Sequence, residues 1–347
     1  MNSPVAIIIL NWNGVNDTIE CVGSVLQQDC TEFLIFLADN GSDGNDAEIL
    51  REEYQYNTNI EIILFTENYG FTKGVNRVIR EYILKDNFKY IVLLNNDTIA
   101  EKDWLNNLIK SAETNKADII SSKIIDYYRR DKLHTTGLKM LNTGEILSIG
   151  RGEDVDLYNE SYVPIGACGA ASFYRLDMIN KIGLFDEYFN TGYEDAEYGL
   201  RAFLLGYKIF YEPNALVYHK ISASIDKVID YQYLLKVNLD INYTYLKLMP
   251  LPVIVFNSPF YIVRTILLIF FHVLFFRFKY IRLFFHSAYI TVFKDIKTII
   301  RKRREFLNCR CISSLAVIKK QEYFFKEDFR RIIKYFIKGE KTIFERY

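Results

Sequence analysis

The chain has 347 residues, half of them hydrophobic, 16% aromatic and 25% charged, with 17 Gly and only 6 Pro. That composition excludes a disordered, collagen-like or low-complexity chain, and the length is enough for about two domains. A formal net charge of zero hides a division: residues 1–263 carry 23 basic and 36 acidic side chains, whereas residues 264–347 carry 20 and 7, so the two parts stand at −13 and +13. Different partners are expected for each, a metal cation for the acidic part and anionic lipid or nucleic acid for the basic part. Five cysteines, at 21, 30, 168, 309 and 311, form no CxxC pair, which fits a reducing cytoplasmic compartment. Val5–Leu10 is too short for the core of a signal peptide and runs straight into polar Asn11, so it reads as a first strand.

Over the first 120 residues, short β-rich apolar runs alternate with segments of helical spacing. The strands are expected at Val5–Leu10, Phe33–Ala38, Ile60–Phe65, Tyr90–Leu94 and Asp118–Ser122. The helices are expected at Asp17–Gln28, Asp46–Tyr54, Thr72–Leu84 and Lys102–Glu113. This rhythm implies a mostly parallel sheet covered on both faces, with ligands beyond the carboxyl ends of its strands. The polar runs Asn11-Trp12-Asn13-Gly14, Asp39-Asn40-Gly41-Ser42-Asp43 and Asn95-Asn96-Asp97-Thr98 fall at those ends. Residues 123–165 read as hairpins and loops, suited to facing an acceptor. A short helix near Asp177–Lys181, a Gly-led turn at 183–187 and a helix from Glu194-Asp195 to Gly206 follow, then a strand pair ending at His219.

From Tyr231 the texture changes to long aromatic and aliphatic helices. Two uncharged runs, Leu248–Val263 and Thr265–Phe276, are separated by Arg264, and neither reaches the roughly 18 residues of a spanning helix. Lys279, Arg282 and His286 recur at i, i+3, i+7, as do Lys294, Lys297 and Arg301. Basic residues on one face with Phe, Ile and Leu elsewhere describe a helix lying on anionic lipid, and an amphipathic helix packed on the rest of the chain makes the same pattern. Arg301-Lys302-Arg303-Arg304 has no aromatic RNA-reading motif beside it, so nucleic acid is not an expected partner.

Several residues carry chemistry in this arrangement, each with a plainer reading beside it. Asp97 just after a buried strand suits a hard divalent cation whose remaining ligands come from a diphosphate and water; Asn-Asn-Asp is also a common turn. Asp39 can accept from the imide N–H of uracil or thymine, or close an Asx-turn. Gly70, Lys73 and the helix start after Asn68 can meet phosphate or ribose oxygens, and their spacing matches neither a P-loop nor GxGxxG. One of Glu194 and Asp195 suits a general base, and acids there also compensate a helix dipole. His219 can complete a metal site or simply hydrogen-bond. Cys168 reads as a small packing group, because no base-bearing motif sits beside it.

Taken in order, these residues resemble the family 2 inverting glycosyltransferases, and within them the rhamnosyltransferase-like bacterial branch. The matching stretches are Ile7–Gly14, Ala38–Asp43, Asn68–Phe71, Leu94–Thr98, Gly166–Ala170, Gly183–Glu187, Tyr193–Glu197 and Val217–His219. The resemblance implies a GT-A fold over residues 1–224; the basic, aromatic-rich helical region over 225–347 matches none of its motifs and is expected, from its composition, at the membrane surface. The resemblance further implies a UDP- or dTDP-sugar donor, with dTDP-rhamnose the first candidate, and Mg²⁺ or Mn²⁺ as cofactor. Carried over by position, Asp39 reads the pyrimidine, while Asn11, Asn13, Asn68, Gly70, Lys73, Asn76, Asn95 and Asn96 line the nucleotide-sugar pocket. Asp97 and His219 meet the metal, and Asp195, with Glu194 beside it, is the catalytic base. The acceptor implied is a lipid-linked or polysaccharide hydroxyl in bacterial surface-glycan synthesis, at the inner face of the plasma membrane. The DxD position opens with Asn95, and Glu197 stands where the family often has Asp. Two other classes compete. A membrane scaffold of the same fold without turnover needs neither Asp97 nor Asp195. A sugar nucleotidyltransferase needs a Gly-rich basic first loop that Asn13-Gly14-Val15-Asn16 does not supply.

Overall fold

The computed structural model describes residues 5–30, 32–220 and 231–338. These form two compact units, the first of residues 5–138, 148–203 and 207–220, the second of residues 139–147, 204–206 and 231–338. The expected boundary at 224/225 lies outside the described residues.

In the first unit, strands β1 (Val5–Asn11), β2 (Phe33–Asp39), β3 (Ile60–Leu64) and β4 (Tyr90–Leu94) alternate with helices α1 (Val15–Leu26), α2 (Asp46–Tyr54) and α3 (Gly70–Glu81). After them come β5 (Thr98–Ala100), α4 (Trp104–Asn115), β6 (Ile119–Asp126) and β7 (Leu133–Thr135). Next in the chain are β8 (Leu138–Met140) and β9 (Ile146–Ser148), a small hairpin that belongs mostly to the second unit, and then, in the first, β10 (Ala171–Arg175), α5 (Leu176–Ile182), α6 (Glu194–Leu204) and β11 (Ile209–His219). The main sheet has nine strands in the order β3-β2-β1-β4-β10-β6-β11-β5, with β7 on β6. β10 runs antiparallel between β4 and β6, and β5 and β7 are also antiparallel to their neighbours; the other pairings along the sheet are parallel.

The sheet is buried on both faces, which is why its strands read as continuous apolar runs instead of alternating ones. Ile7, Ile9, Leu37 and Val92 pack with Val22, Trp104 and Leu108 on one side; Ile8, Phe36, Ile91 and Leu93 pack with Val75, Ile79 and Tyr198 on the other. Each such fully buried aliphatic side chain contributes about 1.5–3 kcal/mol.

Two expectations need correction here. The pair of strands expected before His219 is a single strand, β11, with a register irregularity between Glu212 and Leu216. Pro213-Asn214, which looks like a hairpin turn, makes a bulge, because proline cannot donate to a ladder. Helix α1 also begins two residues ahead of Asp17. Its cap is remote: Asp46 Oδ2 accepts from the backbone N–H of Gly14 at 2.9 Å and of Val15 at 3.1 Å.

The second unit is helical: α7 (Tyr231–Leu248), α8 (Leu251–Leu274), α9 (Phe278–Ile290), a π-turn at Thr291–Asp295, α10 (Ile296–Leu307), α11 (Ser314–Lys320) and α12 (Phe324–Lys338). The two expected apolar runs are one 24-residue helix, α8, long and apolar enough to cross a membrane by length and composition. Its prolines do not break it. Pro250 and Pro252 stand at its start, where no intrahelical N–H is needed. Pro259 leaves the Val255 carbonyl without its helical donor, and the Ser258 hydroxyl donates to that carbonyl at 2.8 Å instead. Arg264, midway along, is 8% exposed. It donates to Asp328 through Nε at 2.7 Å and Nη2 at 3.0 Å and reaches Glu145 at 2.7 Å and Thr143 Oγ1 at 3.2 Å. The opposite face turns Ile266, Leu267 and Phe270 outward at 60%, 55% and 65% exposure.

Candidate active site

The parallel strands β2, β1 and β4 end side by side, and the register sets Asn11 directly against Asp39. Asn11 is fully buried and its amide is completely used: Nδ2 donates to Asp39 at 2.7 Å, to Asp46 at 3.0 Å and to Ser42 at 3.2 Å, while Oδ1 accepts from Thr18 at 2.6 Å. It braces the loop under Asp39 and has no donor left for a ligand. Asp39, 2% exposed, closes the expected Asx-turn, with Oδ1 accepting from the Ser42 N–H at 3.0 Å and Oδ2 from the Ser42 hydroxyl at 2.7 Å. Asn13, at φ 52°, clasps Asp43 through its amide at 2.9 Å and through the Asp43 N–H at 2.8 Å. Trp12 beside it is 53% exposed, an aromatic face at the rim.

The turn into α3 requires a glycine. Gly70 has φ 73°, and a Cβ there would sit 1.9 Å from Asn190 Oδ1. Asn68 accepts from the Gly70 N–H at 2.7 Å and from Asn40 Nδ2 at 3.1 Å, which holds that turn to the loop after β2. Lys73 projects outward on the first turn of α3. Asn76 does not reach a pocket: it is 1% exposed, and its amide is spent on the Phe185 carbonyl at 2.8 Å, the Phe185 N–H at 3.1 Å and Glu187 at 3.2 Å. It ties α3 to the turn at 183–187.

Past β4, Asn95 uses its backbone N–H on the Ala170 carbonyl at 2.9 Å, and Asn96 donates to Thr18 at 2.9 Å. Asp97, 8% exposed, faces His219, 7% exposed, with Oδ1 3.0 Å from Nε2. The other ring nitrogen of His219, Nδ1, lies 2.8 Å from Nδ1 of His134, itself 9% exposed. Among the described residues no group of three or more His, Cys, Asp or Glu side chains is arranged to hold a metal alone. One carboxylate oxygen and one imidazole nitrogen therefore suit a divalent cation whose remaining ligands are diphosphate and water, and they do not make a closed protein cage.

Asp195 begins α6 close to the same edge. Gly169 N–H donates to its Oδ2 at 2.8 Å and Ala196 N–H to its Oδ1 at 2.7 Å. Burial pushes its carboxyl above the ordinary range, outweighing these two donors. The helix can approach this closely because Gly199 meets Gly166; a Cβ on Gly199 would lie 2.5 Å from the Gly166 Cα. Tyr193 precedes the carboxylates at φ 73°, a costly conformation for a bulky residue and a common one at functional sites. Glu194 is 6% exposed beside it. Glu197, by contrast, is fully buried and paired with Arg201 at 3.0 Å, while Arg201 also donates to the Ile182 and Leu184 carbonyls at 2.9 Å. It is a strut. The Cys168 thiol is pushed up to about 12 by burial, so it stays protonated and is no nucleophile.

Sequence reasoning missed Asp46, Ser42 and His134. Asp46 carried the signal of an acid in a first turn but caps the wrong helix for a local reading. His134 lies in a Leu-His-Thr strand, 85 residues from its partner, and only the fold brings the two together.

Residues 6–183, just over half of the chain, match the model of "Glycosyl transferase family 2". The chain is 28% identical over 125 residues to the bifunctional glycosyltransferase pgtA of Dictyostelium discoideum; the match covers 36% of this chain and 16% of that protein. Among solved structures, GalNAc-T7 with UDP, GalNAc and Mn²⁺ superposes at a TM-score of 0.53 with 14% identity, covering 70% of this chain and 50% of that one. Residues 1–349 of S. aureus TarS give 0.47 and 16%, covering 70% and 66%. The fold is of the GT-A class, and the chain belongs to glycosyl transferase family 2.

Proposed function

We propose that this enzyme moves a sugar from a UDP- or dTDP-sugar, dTDP-rhamnose being the first candidate, to a hydroxyl of a lipid-linked or polysaccharide acceptor in bacterial surface-glycan synthesis, inverting the anomeric carbon. One observation carries the reading. The segment 166–170 touches both halves of the chemistry, since Ala170 accepts from Asn95, two residues before Asp97, and Gly169 donates to Asp195. A diphosphate-facing group and a proton acceptor thus share one strand edge.

Asp39 suits the base. A carboxylate offers about four lone-pair sites, and three hydrogen bonds occupy Asp39, so one acceptor site on Oδ1 remains for a uracil or thymine imide N–H. Asp195, desolvated and pinned by two backbone donors, takes the acceptor hydroxyl proton as that oxygen bonds to the anomeric carbon. The bond to the diphosphate oxygen breaks in the same displacement, and the nucleoside diphosphate leaves with the electron pair. Mg²⁺ or Mn²⁺ held by Asp97 and His219 would supply positive charge to the leaving diphosphate when bound. Calorimetric titration with UDP, dTDP and GDP, each with and without Mn²⁺, tests the donor half. Binding of UDP or dTDP that needs Mn²⁺ and is lost in Asp97→Ala supports it; a folded protein that binds none of the three overturns it.

The second unit is proposed to rest on the cytoplasmic face of the plasma membrane without spanning it. Arg264 supports this arrangement. A spanning α8 would carry Arg264, Glu145 and Asp328 into the hydrocarbon, whereas a helix lying flat keeps them under its own apolar face. Exposed Lys279, Arg282, Lys294 and Arg301 match an anionic surface. The full chain should sediment with phosphatidylglycerol vesicles, weakly with neutral ones, and less after Ile266→Glu with Phe270→Glu. Equal binding to both vesicle types would overturn the charge argument.

A further inference from the structure

We infer that His134 is a positioning residue: its hydrogen bond to His219 holds the imidazole so that Nε2 faces the Asp97 carboxylate and any cation bound there. The inference rests on the reading of Asp97 and His219 as the diphosphate–metal pair. Its first support is chemical. Two Nδ1 atoms 2.8 Å apart share one hydrogen, so one ring donates and the other lends a lone pair. Nδ1 of His219 is thereby consumed, and Nε2, 3.0 Å from Asp97 Oδ1, is the nitrogen left for the site. Without a cation, Nε2–H donates to the Asp97 carboxylate and Nδ1 of His219 accepts from Nδ1–H of His134; for Nε2 to offer a lone pair to a cation, the hydrogen must instead sit on Nδ1 of His219 and Nδ1 of His134 must accept it.

The second support is the backbone. β10 pairs with β6 only along Ile119–Ser121, and β7 pairs with β6 further on, with Thr135 opposite Ile124 and Leu133 opposite Ile125. The register slips by one residue between those pairs, and the residue left over is His134. A bulge re-aims the side chain it carries and strengthens the local twist. On the other side of β6, β11 sets His219 opposite Asp126 and, through β5, opposite Thr98, next to Asp97. Strands on both sides of β6 thus deliver the two imidazoles to one spot, with ring centroids 4.7 Å apart.

The experiment compares His134→Phe, which keeps ring volume without a polar atom, with His134→Asn, whose amide oxygen falls near the position of Nδ1 and accepts the same hydrogen bond. Mn²⁺ uptake by the full chain with UDP is read from the loss of the free-Mn²⁺ electron paramagnetic resonance signal, and folding is checked by thermal melting. The expected result is Mn²⁺ affinity reduced about tenfold or more in His134→Phe and restored to within about threefold of wild type in His134→Asn. Wild-type affinity in folded His134→Phe overturns the inference, as does a His134→Asn that is as weak as His134→Phe. If the wild type itself takes up no Mn²⁺ with UDP, the reading of Asp97 and His219 falls, and the role of His134 with it.

Discussion

The two units bury opposite things. At the strand ends of the first, Asn11, Asp39, Asp97 and His219 are between 0% and 8% exposed, and each is held by neighbours a few residues or one strand away. Around them Val5–Ile9 of β1 and all of β4 are apolar and buried. Along α8 of the second, Asn257 and Arg264 are buried while Ile266, Leu267 and Phe270 point outward. Apolar area left in water forgoes about 25 cal/mol per Å², so this sorting is costly wherever that face meets only water. The first unit is built to hold polar groups still for chemistry. The second is built to hold an apolar face outward, and its buried ions are the fastening.

The sharpest test of the first half of that contrast is Asp195→Asn. Loss of a positioned general base should lower kcat by about 10²–10⁴ while nucleotide binding persists. Asn keeps one of the two oxygens that accept from Gly169 and Ala196, so the variant should remain folded. Wild-type activity should fall on the acid side, through a value above the ordinary carboxylate range, as the base takes up its proton. Full activity in Asp195→Asn would break the assignment.

The fastening of the second half comes next. Arg264→Ala leaves Glu145, 6% exposed at its side chain, without this cation, and leaves Asp328 with Arg331 alone at 3.3 Å. Removing one member of a buried ion pair costs about 3–5 kcal/mol. Denaturant unfolding should show that loss, with α12 the first element to lose amide protection because Asp328 lies on it. Arg264→Met, which keeps the apolar stem, should recover little, since Glu145 still lacks its cation.

These contrasts were unequally legible in the sequence. Parallel strands and the motifs at their ends were readable because a strand buried on both faces is a continuous apolar run and the turns after it are polar. Asn76 and Asn11 were not separable from ligand-facing amides, since residue type and spacing say nothing about which partner an amide finds; both are braces. The start of α1 was misplaced because its cap, Asp46, is contributed from another helix. The break expected in α8 came from taking Arg264 as an interruption, whereas two carboxylates neutralise Arg264 and Ser258 satisfies the carbonyl freed by Pro259. Each miss involves a partner distant in sequence or a local repair.

The smallest effect separates fastening from burden inside the second unit. Asp240, 4% exposed, pairs with Lys236 at 2.6 Å, yet burial still lifts its carboxyl from 3.8 to about 6. The folded form therefore prefers the proton, and the stabilisation this gives is present at acid pH and lost as pH rises through about 6. Keeping a carboxylate raised that far in its ionised form at pH 7.5 costs roughly 2–3 kcal/mol. That cost is already net of the pair with Lys236, whose lysine is 38% exposed. Asp240→Asn should thus raise stability at pH 7.5 and lose the advantage near pH 4, where both proteins carry a neutral group. Melting curves of the two chains across that range isolate the difference. A variant less stable than wild type at pH 7.5 would mean that the Lys236 bond outweighs the desolvation, and that Asp240 belongs with Arg264 among the fastenings.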